Sequence, residues 1–301
     1  MNKILLAGGQ GFIGSHLNYQ LKKQASVISL DYGSNSTEKD FINLDLTDIN
    51  QVNNFTVNSA YFEVLIFLVG LAHKKGKGKE LDEFRRINKQ TLVNLLSALE
   101  VQGKLPNKII FASTISVYGE NINQNIYNED SEKNPFSPYA VTKLETEEYL
   151  LKNYGVQSWV LRFAPVYSPD FQLNINRRTK AAGRYYKVRK GSKKLSLCNL
   201  ENIGSVVQDI LKEKVPAGVY NISDENEYTY DELLRWKKSS WVLPVPAFSV
   251  RLLYYLGKFF NSTFFKENTI KLISDNVYPS DKIRSYVELP SVINDVIFDN
   301  D

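Results

Sequence analysis

Cysteine and histidine are scarce in this 301-residue chain, which contains one cysteine, Cys198, and two histidines. A single cysteine forms no disulfide within the chain, and so few sulfur and imidazole groups do not supply a typical zinc site. The sequence therefore predicts no metal site and no Cys–His nucleophile.

Long hydrophobic runs are also missing. The longest uninterrupted apolar run, Val64 to Val69, is far shorter than the roughly 20 residues that a membrane-spanning helix needs. The first residues, Met-Asn-Lys before a short apolar stretch, lack the layout of a secretion signal. We therefore expect a cytoplasmic protein without membrane insertion.

The net charge of +4 has a local origin. Residues 177–194 contain nine Lys and Arg and no acid, whereas the rest of the chain has more acids than bases. Such a segment is a solvated face, a nucleic-acid surface or a pocket for a phosphorylated ligand. We favour the phosphorylated ligand and expect no nucleic-acid partner.

Short apolar runs alternate with helical patterns over the first half of the chain, as in a parallel sheet covered by helices on both faces. The sequence predicts an α/β fold with a Rossmann-like doubly wound sheet. The predicted strands are Lys3–Ala7, Val27–Leu30, Val64–Val69, Lys108–Ala112 and Trp159–Phe163. The predicted helices are His16–Gln24, Glu83–Ala98 and Ser137–Lys152.

A glycine-rich turn, Gly8-Gly9-Gln10-Gly11-Phe12-Ile13-Gly14, follows the first strand and opens the next helix. Gly8 permits the tight turn, Gly11 lets backbone N–H groups approach a pyrophosphate, and Gly14 allows close packing of helix on strand. This context predicts a dinucleotide site that includes Phe12 and Ile13. The alternative is a glycine-rich turn without a ligand.

Two carboxylates follow the next strands. Asp31 ends the second strand, where it would accept hydrogen bonds from ribose hydroxyls and repel a 2′-phosphate. It therefore favours NAD over NADP. Asp45, followed by Leu46, is either an acid near the adenine after the third strand or an acid at a helix N-terminus.

Tyr139 and Lys143 lie four residues apart and thus on one face of a predicted helix, which Ser137 caps and Pro138 begins. We expect the Lys143 cation and a nicotinamide to lower the pKa of the phenol, so that it acts as a base. Thr114 follows a strand at the carboxyl end of the sheet, and its hydroxyl would link substrate to Tyr139. Alone, such a Tyr–Lys pair is usually structural.

Taken together, these segments resemble the extended short-chain dehydrogenase/reductases, the NAD-dependent epimerase/dehydratase family, over nearly the whole chain. The glycine turn is similar to the family's Gly-x-x-Gly-x-x-Gly. Further segments that resemble family signatures are Asn88-x-x-Thr91-x-x-Asn94-Leu95-Leu96, Phe111 to Gly119, Tyr139 to Lys143, Leu161 to Pro169 and Gly218 to Ile222.

The resemblance implies that Thr114, Tyr139 and Lys143 are catalytic and that the substrate is a nucleoside-diphosphate sugar. It also implies a homodimer formed through the helices at residues 83–98 and 137–152. The residues that would lie along the cofactor are Val69, Gly70 and Asn88, and those that would contact the substrate diphosphate are Arg177, Arg178 and Arg184.

We predict an NAD-binding domain at residues 1–166, to which 204–222 return. A smaller C-terminal α/β substrate-binding domain would comprise 167–203 and 223–301. Within it, residues 242–265 are rich in Pro, Tyr and Phe. They form either a membrane-surface helix or, as we favour, a helix that covers the core of that domain.

The chain also departs from the family at particular positions. Ile115 and Ser116 replace the Asp-Glu pair with which family dehydratases eliminate water, so dehydration is disfavoured. Pro165 stands where many family epimerases have a substrate-holding Asn, and Ser168 replaces a Gly, so the placement of the substrate is not predicted.

The function that we predict is a 4-epimerase that transiently oxidises C4 of a nucleoside-diphosphate hexose with bound NAD. The alternative is a 4-keto-sugar nucleotide reductase that uses the same residues and consumes reduced cofactor. A third possibility, of another class, is a catalytically silent NAD-binding regulator.

Overall fold

The computed structural model describes residues 3–33, 36–72, 80–119, 121–189, 191–239, 241–260 and 262–293. The chain divides into two compact units. The first unit comprises residues 1–114, 137–161 and 210–219, and the second comprises 115–136, 162–209 and 220–301.

Seven strands of the described residues form one sheet. Its strands are β1 (Lys3–Ala7), β2 (Ser26–Asp31), β3 (Phe41–Asn43), β4 (Val64–Phe67), β5 (Lys108–Thr114), β6 (Ser158–Phe163) and β12 (Gly218–Ile222). Their order is β12-β6-β5-β4-β1-β2-β3, and β1 pairs in parallel with both β2 and β4. The strand order reverses between β1 and β4, which is where ligands bind in such sheets.

Burial explains why these short runs form parallel strands. All four residues of β4 and the last four of β1 are completely buried, as expected for strands covered on both faces. The predicted Rossmann-like α/β fold is thereby confirmed.

Among the described residues of the first unit, the α-helices that lie wholly within it are α1 (Phe12–Leu21), α2 (Ile49–Asn58), α3 (Glu80–Arg85), α4 (Thr91–Val101) and α5 (Pro138–Tyr154). Leu95 and Leu99 of α4 pack with Phe67 and Phe111 in its core. The single helix predicted for residues 83–98 is interrupted by a π-helical turn, Arg86–Gln90. The Ser137 hydroxyl accepts a hydrogen bond from Ala140 N at 3.4 Å, so the predicted cap of α5 is present.

The second unit has its own core, in which Tyr167, Leu197, Tyr228 and Leu233 are buried together. Its helices are α6 (Leu173–Thr179), α8 (Tyr230–Trp236), α9 (Ala247–Phe259), α10 (Thr263–Ile273) and α11 (Asp281–Arg284), and α7 (Leu200–Leu211) begins in it. Its short strands are β7 (Val166–Tyr167), β8 (Lys180–Ala181), β9 (Arg184–Val188), β10 (Lys194–Leu195), β11 (Cys198–Asn199), β13 (Tyr228–Thr229) and β14 (Leu243–Val245).

The apolar stretch at residues 242–265 folds mainly as α9 and the start of α10. Of α9, only Val250 and Gly257 are buried, so this helix covers the core with one side alone. Within the described residues, no helix has both the length and the hydropathy needed to cross a membrane.

Candidate active site

The glycine turn between β1 and α1 is packed so closely against other backbone atoms that two of its positions have no room for a side chain. Gly8 has a φ of +85°, and a Cβ there would lie 3.0 Å from Val69 N. A Cβ on Gly14 would lie 2.1 Å from Gly8 O. These contacts bring the turn against the segment that follows β4.

Gly11 differs, because the protein leaves room beside it. Its φ of −69° suits any residue, and an added Cβ would meet only Gly8 O, at an ordinary 3.4 Å. Helix α1 begins directly after it without a side-chain cap, and the first N–H groups of a helix lie outside its hydrogen-bond ladder. Open space over such a helix start fits a pyrophosphate.

Asp31, the last residue of β2, is fixed beside this turn. One carboxylate oxygen accepts a hydrogen bond from Gln10 N at 3.0 Å, and the other accepts one from Tyr32 N at 2.9 Å. A carboxylate has about four acceptor positions, so capacity remains for ribose hydroxyls. The residue therefore fits the adenosine side of a dinucleotide.

Asp45 follows β3 but does not cap a helix. It accepts hydrogen bonds from the backbone N and the hydroxyl of Thr47, at 2.8 and 2.7 Å. Asp48 is the N-cap of α2. Of the two predicted roles, the helix-terminal acid thus belongs to Asp48, while Asp45 holds the turn around the buried Leu46.

Lys143 is buried, and backbone carbonyls hold its ammonium group. Nζ donates to Ala112 O at 2.9 Å and to Val69 O at 3.3 Å, both near the carboxyl ends of neighbouring strands. A Cβ on Gly70 would lie 3.0 Å from this Nζ, so glycine there makes room for the lysine. Burial lowers the pKa of Lys143 to about 7, although the Glu147 carboxylate opposes the shift.

Tyr139 is half-buried and hydrogen-bonded to Thr114. Burial raises the pKa of its phenol to about 12, and the bond with Thr114 works in the opposite direction. We expected Lys143 to lower this pKa, but in the protein itself burial prevails and the opposing influence comes from Thr114. Tyr139 thus contacts Thr114, and Lys143, one helical turn after Tyr139, donates to Ala112 O, two residues before Thr114.

Asn88 lies in the π-helical turn and is completely buried. Its side-chain oxygen accepts from Leu71 N at 2.6 Å, and its amide donates to Thr142 Oγ1 at 3.0 Å. It therefore ties the segment after β4 to the helix that carries Lys143. Such π-helical turns occur frequently at functional sites.

One buried pair was not foreseen from the sequence. The Ser113 hydroxyl donates to the Glu147 carboxylate, and both side chains are buried. Glu147 follows Lys143 by one helical turn, which is the signal that would have indicated it.

The three candidate substrate arginines all belong to the second unit. Arg177 and Arg178 lie in the last turn of α6, where Arg178 donates to Asn174 O at 2.9 Å. Arg184 begins β9 and is exposed. The basic segment thus folds into a helix end and a β-hairpin, in which Ala181 pairs with Arg184.

The first unit also contains a cavity of about 590 Å³ beside β3 and α2. Its lining includes Lys3 and Ser26, the first residues of β1 and β2. It therefore lies at the amino ends of these strands, away from the glycine turn.

Residues 4–212 match the NAD dependent epimerase/dehydratase family. The chain belongs to this family. Membership confirms the resemblance found in the sequence and the predictions of an enzyme and of NAD as its cofactor.

Curated relatives within the epimerase/dehydratase family match most of the chain. UDP-glucose 4-epimerase of Vibrio cholerae is 26% identical over 277 residues, which cover 86% of this chain and 83% of the relative. An N-acetyl-alpha-D-glucosaminyl-diphospho-ditrans,octacis-undecaprenol 4-epimerase of Escherichia coli O157:H7 is 25% identical, covering 85% of this chain and 77% of the relative.

A solved structure supports the fold. The UDP-glucuronic acid 4-epimerase from Bacillus cereus, in complex with NAD, superposes with a TM-score of 0.69 at 22% identity. The match covers 96% of this chain and 94% of that one.

The family's Leu-Arg signature has a structural role in this member. Arg162 is buried and donates to Tyr118 Oη at 2.9 Å and to Glu129 O at 3.2 Å. Tyr118 in turn donates to Asn221 Oδ1 at 2.6 Å. Three of the segments that carry the resemblance thus meet in one hydrogen-bonded cluster.

The departures from the family pattern also lie in the second unit. Ile115 and Ser116 begin a 3₁₀ turn, Ile115–Tyr118, and Ile115 is buried. Pro165 O accepts from Cys198 N at 3.1 Å, and Ser168 N donates to Phe171 O at the same distance. Pro165 and Ser168 thus take part in backbone contacts of this unit.

Proposed function

We propose that this protein is a nucleotide-sugar 4-epimerase that acts on a nucleoside-diphosphate hexose. The hydrogen-bonded pair of Tyr139 and Thr114, with Lys143 one helical turn further on, carries the proposal. The two relatives reported above are themselves 4-epimerases by name.

The cofactor pyrophosphate would bind to the glycine turn at Gly11, Phe12, Ile13 and Gly14. Asp31 would accept hydrogen bonds from the adenosine ribose. We place Asp45 and Leu46 toward the adenine, and Lys143 toward the nicotinamide ribose. Val69 and Gly70 would line the cofactor, with Asn88 positioning their segment. When bound, NAD⁺ would accept the C4 hydride and in its reduced form return it, and the oxidised ring would contribute a positive charge.

Tyr139 performs the proton transfer in this proposal. As a phenolate, whose formation the positive charge of bound NAD⁺ would favour, its oxygen removes the proton of the sugar 4-hydroxyl while the C4–H bond breaks. It returns a proton once the 4-keto sugar has turned over. Thr114 stabilises the phenolate by donating a hydrogen bond to it. Because the pKa of Lys143 is about 7, its side chain is cationic in part of the molecules at neutral pH.

The basic segment would recognise the substrate diphosphate. A guanidinium group makes bidentate contacts with phosphate oxygens, and Arg177, Arg178 and Arg184 are the arginines that we propose for this role. The same assignment makes the first unit the NAD-binding part and the second the substrate-binding part.

A homodimer and a cytoplasmic location remain proposals. The helices expected at the dimer interface lie side by side in one chain: Arg85 of α3 forms an ion pair of 2.7 Å with Glu145 of α5. Light scattering on the purified protein tests the dimer, and a monomer at micromolar concentration would exclude it.

The decisive experiment identifies the bound cofactor by mass spectrometry and incubates the protein with a panel of UDP-hexoses, without added cofactor. Interconversion of two C4 epimers supports the proposal. Oxidation of added NADH or NADPH only with a 4-keto sugar would replace it by the reductase. Tyr139→Phe should keep NAD and lose at least about a hundredfold in turnover, and retained activity would exclude Tyr139 as the base.

A further inference from the structure

The outer face of α9 carries a continuous apolar stripe. Phe248, Leu252, Tyr255 and Phe259 follow one another at spacings of four, three and four residues, which places them on one side of a helix. Their side chains are 72%, 57%, 57% and 82% exposed. With the neighbouring Phe260, this face presents on the order of 500 Å² of aromatic and aliphatic surface, at the upper end of what single soluble domains expose.

The helix that carries this stripe is anchored by its opposite side. Val250 and Gly257 are buried, and β14, which leads into α9, pairs in parallel with β9 through Leu243 and Tyr186. The stripe is therefore displayed by a packed helix, and its exposure does not come from a frayed end.

The charged residues of α9 are both cations. Arg251 and Lys258 are exposed and lie seven residues apart, so they flank the stripe along the same edge. The sequence from 233 to 266 contains six Lys and Arg and no acid. Trp241, which is also exposed, precedes the helix. Aromatic and aliphatic side chains bordered by cations are typical of helices that lie in the headgroup region of a membrane.

We propose that α9 docks this protein onto an anionic phospholipid surface, with the helix lying in the plane of the membrane. Its 13 residues span about 20 Å as a helix, too short to cross the hydrocarbon core, so the contact is peripheral. A second copy of the chain suits this face less well. A two-fold contact would place Arg251 and Lys258 against the same cations, and α9 itself contains no acid to compensate.

Vesicle binding by the full chain tests the proposal. The wild type should sediment with vesicles of phosphatidylglycerol and phosphatidylethanolamine and not with phosphatidylcholine alone, with a blue shift of Trp241 emission. The double variant Phe248→Ser/Phe259→Ser should lose roughly tenfold or more of this binding. Arg251→Glu/Lys258→Glu should lose the preference for phosphatidylglycerol.

The matched control is Val101→Ser/Val156→Ser, which removes two exposed apolar side chains from the first unit and should bind like the wild type. Circular dichroism and bound NAD should be the same in all variants. Absence of binding to anionic vesicles, or equal binding by the α9 variant and the control, would overturn the proposal. So would a dimer in solution that Phe248→Ser/Phe259→Ser converts to monomers, since that result would assign the face to a second copy.

Discussion

Replacing Lys143 by methionine should abolish activity and yet stabilise the apoprotein. Burial lowers the pKa of Lys143 from 10.5 to about 7. Each pKa unit corresponds to about 1.4 kcal/mol, so at pH 7 and below the buried ammonium costs about 5 kcal/mol relative to a solvated one. Methionine removes this cost at similar length, but it also removes the bonds to Ala112 O and Val69 O, so the net gain is smaller.

The pH dependence of this gain is the sharper test. Between pH 7 and about 10 the unfolded lysine holds a proton that the folded one has lost, so wild-type stability rises with pH by about 1.4 kcal/mol per unit. Below pH 7 both states are protonated and the cost is fully present. The stability difference between Lys143→Met and the wild type should therefore shrink by about 4 kcal/mol from pH 7 to pH 10.

Urea unfolding of the cofactor-free proteins at pH 7, 8, 9 and 10 measures this difference directly. Lys152→Met is the control, because Lys152 is exposed on the same helix and its substitution makes the same chemical change without removing a buried charge. If the stability difference between Lys143→Met and the wild type stays constant over this pH range, or grows, then Lys143 is not a buried lysine with a lowered pKa.

Three further predictions follow from the same contacts. Gly14→Ala should destabilise the fold by at least about 1–3 kcal/mol, because its Cβ would lie 2.1 Å from Gly8 O. Gly11→Ala should instead keep the thermal midpoint of the wild type and lose most of its affinity for NAD. Equal thermal shifts in the two variants would contradict this prediction. Gly70→Ala should lower kcat more than stability, since the new Cβ meets Lys143 Nζ at 3.0 Å, and unchanged steady-state kinetics would count against it. Thr114→Val should lower turnover roughly tenfold to a hundredfold. It should also move the rise of kcat/KM to higher pH, because the hydrogen bond that lowers the pKa of Tyr139 is lost. A pH profile identical to that of the wild type would show that Thr114 does not act on the phenol.

The fold and the local patterns of the candidate site were predictable for a common reason. The strands β1 and β4 are buried on both faces and therefore consist of short apolar runs, which can be recognised in the sequence. The glycine turn and the spacing from Tyr139 to Lys143 are likewise local patterns, read within one turn or one helix. The interrupted helix around Asn88 was not predicted, because a π-helical turn depends on what the buried amide contacts elsewhere in the chain.

The second unit was less predictable. The strands of the hairpin, β8 and β9, lie in a run of cations, where no hydrophobic alternation marks a strand. For α9, the apolar content suggested a helix that covers a core, but composition does not reveal which side of a helix is buried. Only the packing of Val250 and Gly257 inward leaves the stripe from Phe248 to Phe259 outward.

By itself, the sequence determined the alternating architecture, the glycine turn, the acidic end of β2 and the Tyr–Lys pair, because each is specified by neighbours along the chain. The tertiary structure alone decided the environment of these groups. Burial makes Lys143 a lysine with a pKa of about 7 and raises the pKa of Tyr139 to about 12. Desolvation and contacts between distant segments set these properties, and neither is written in local spacing.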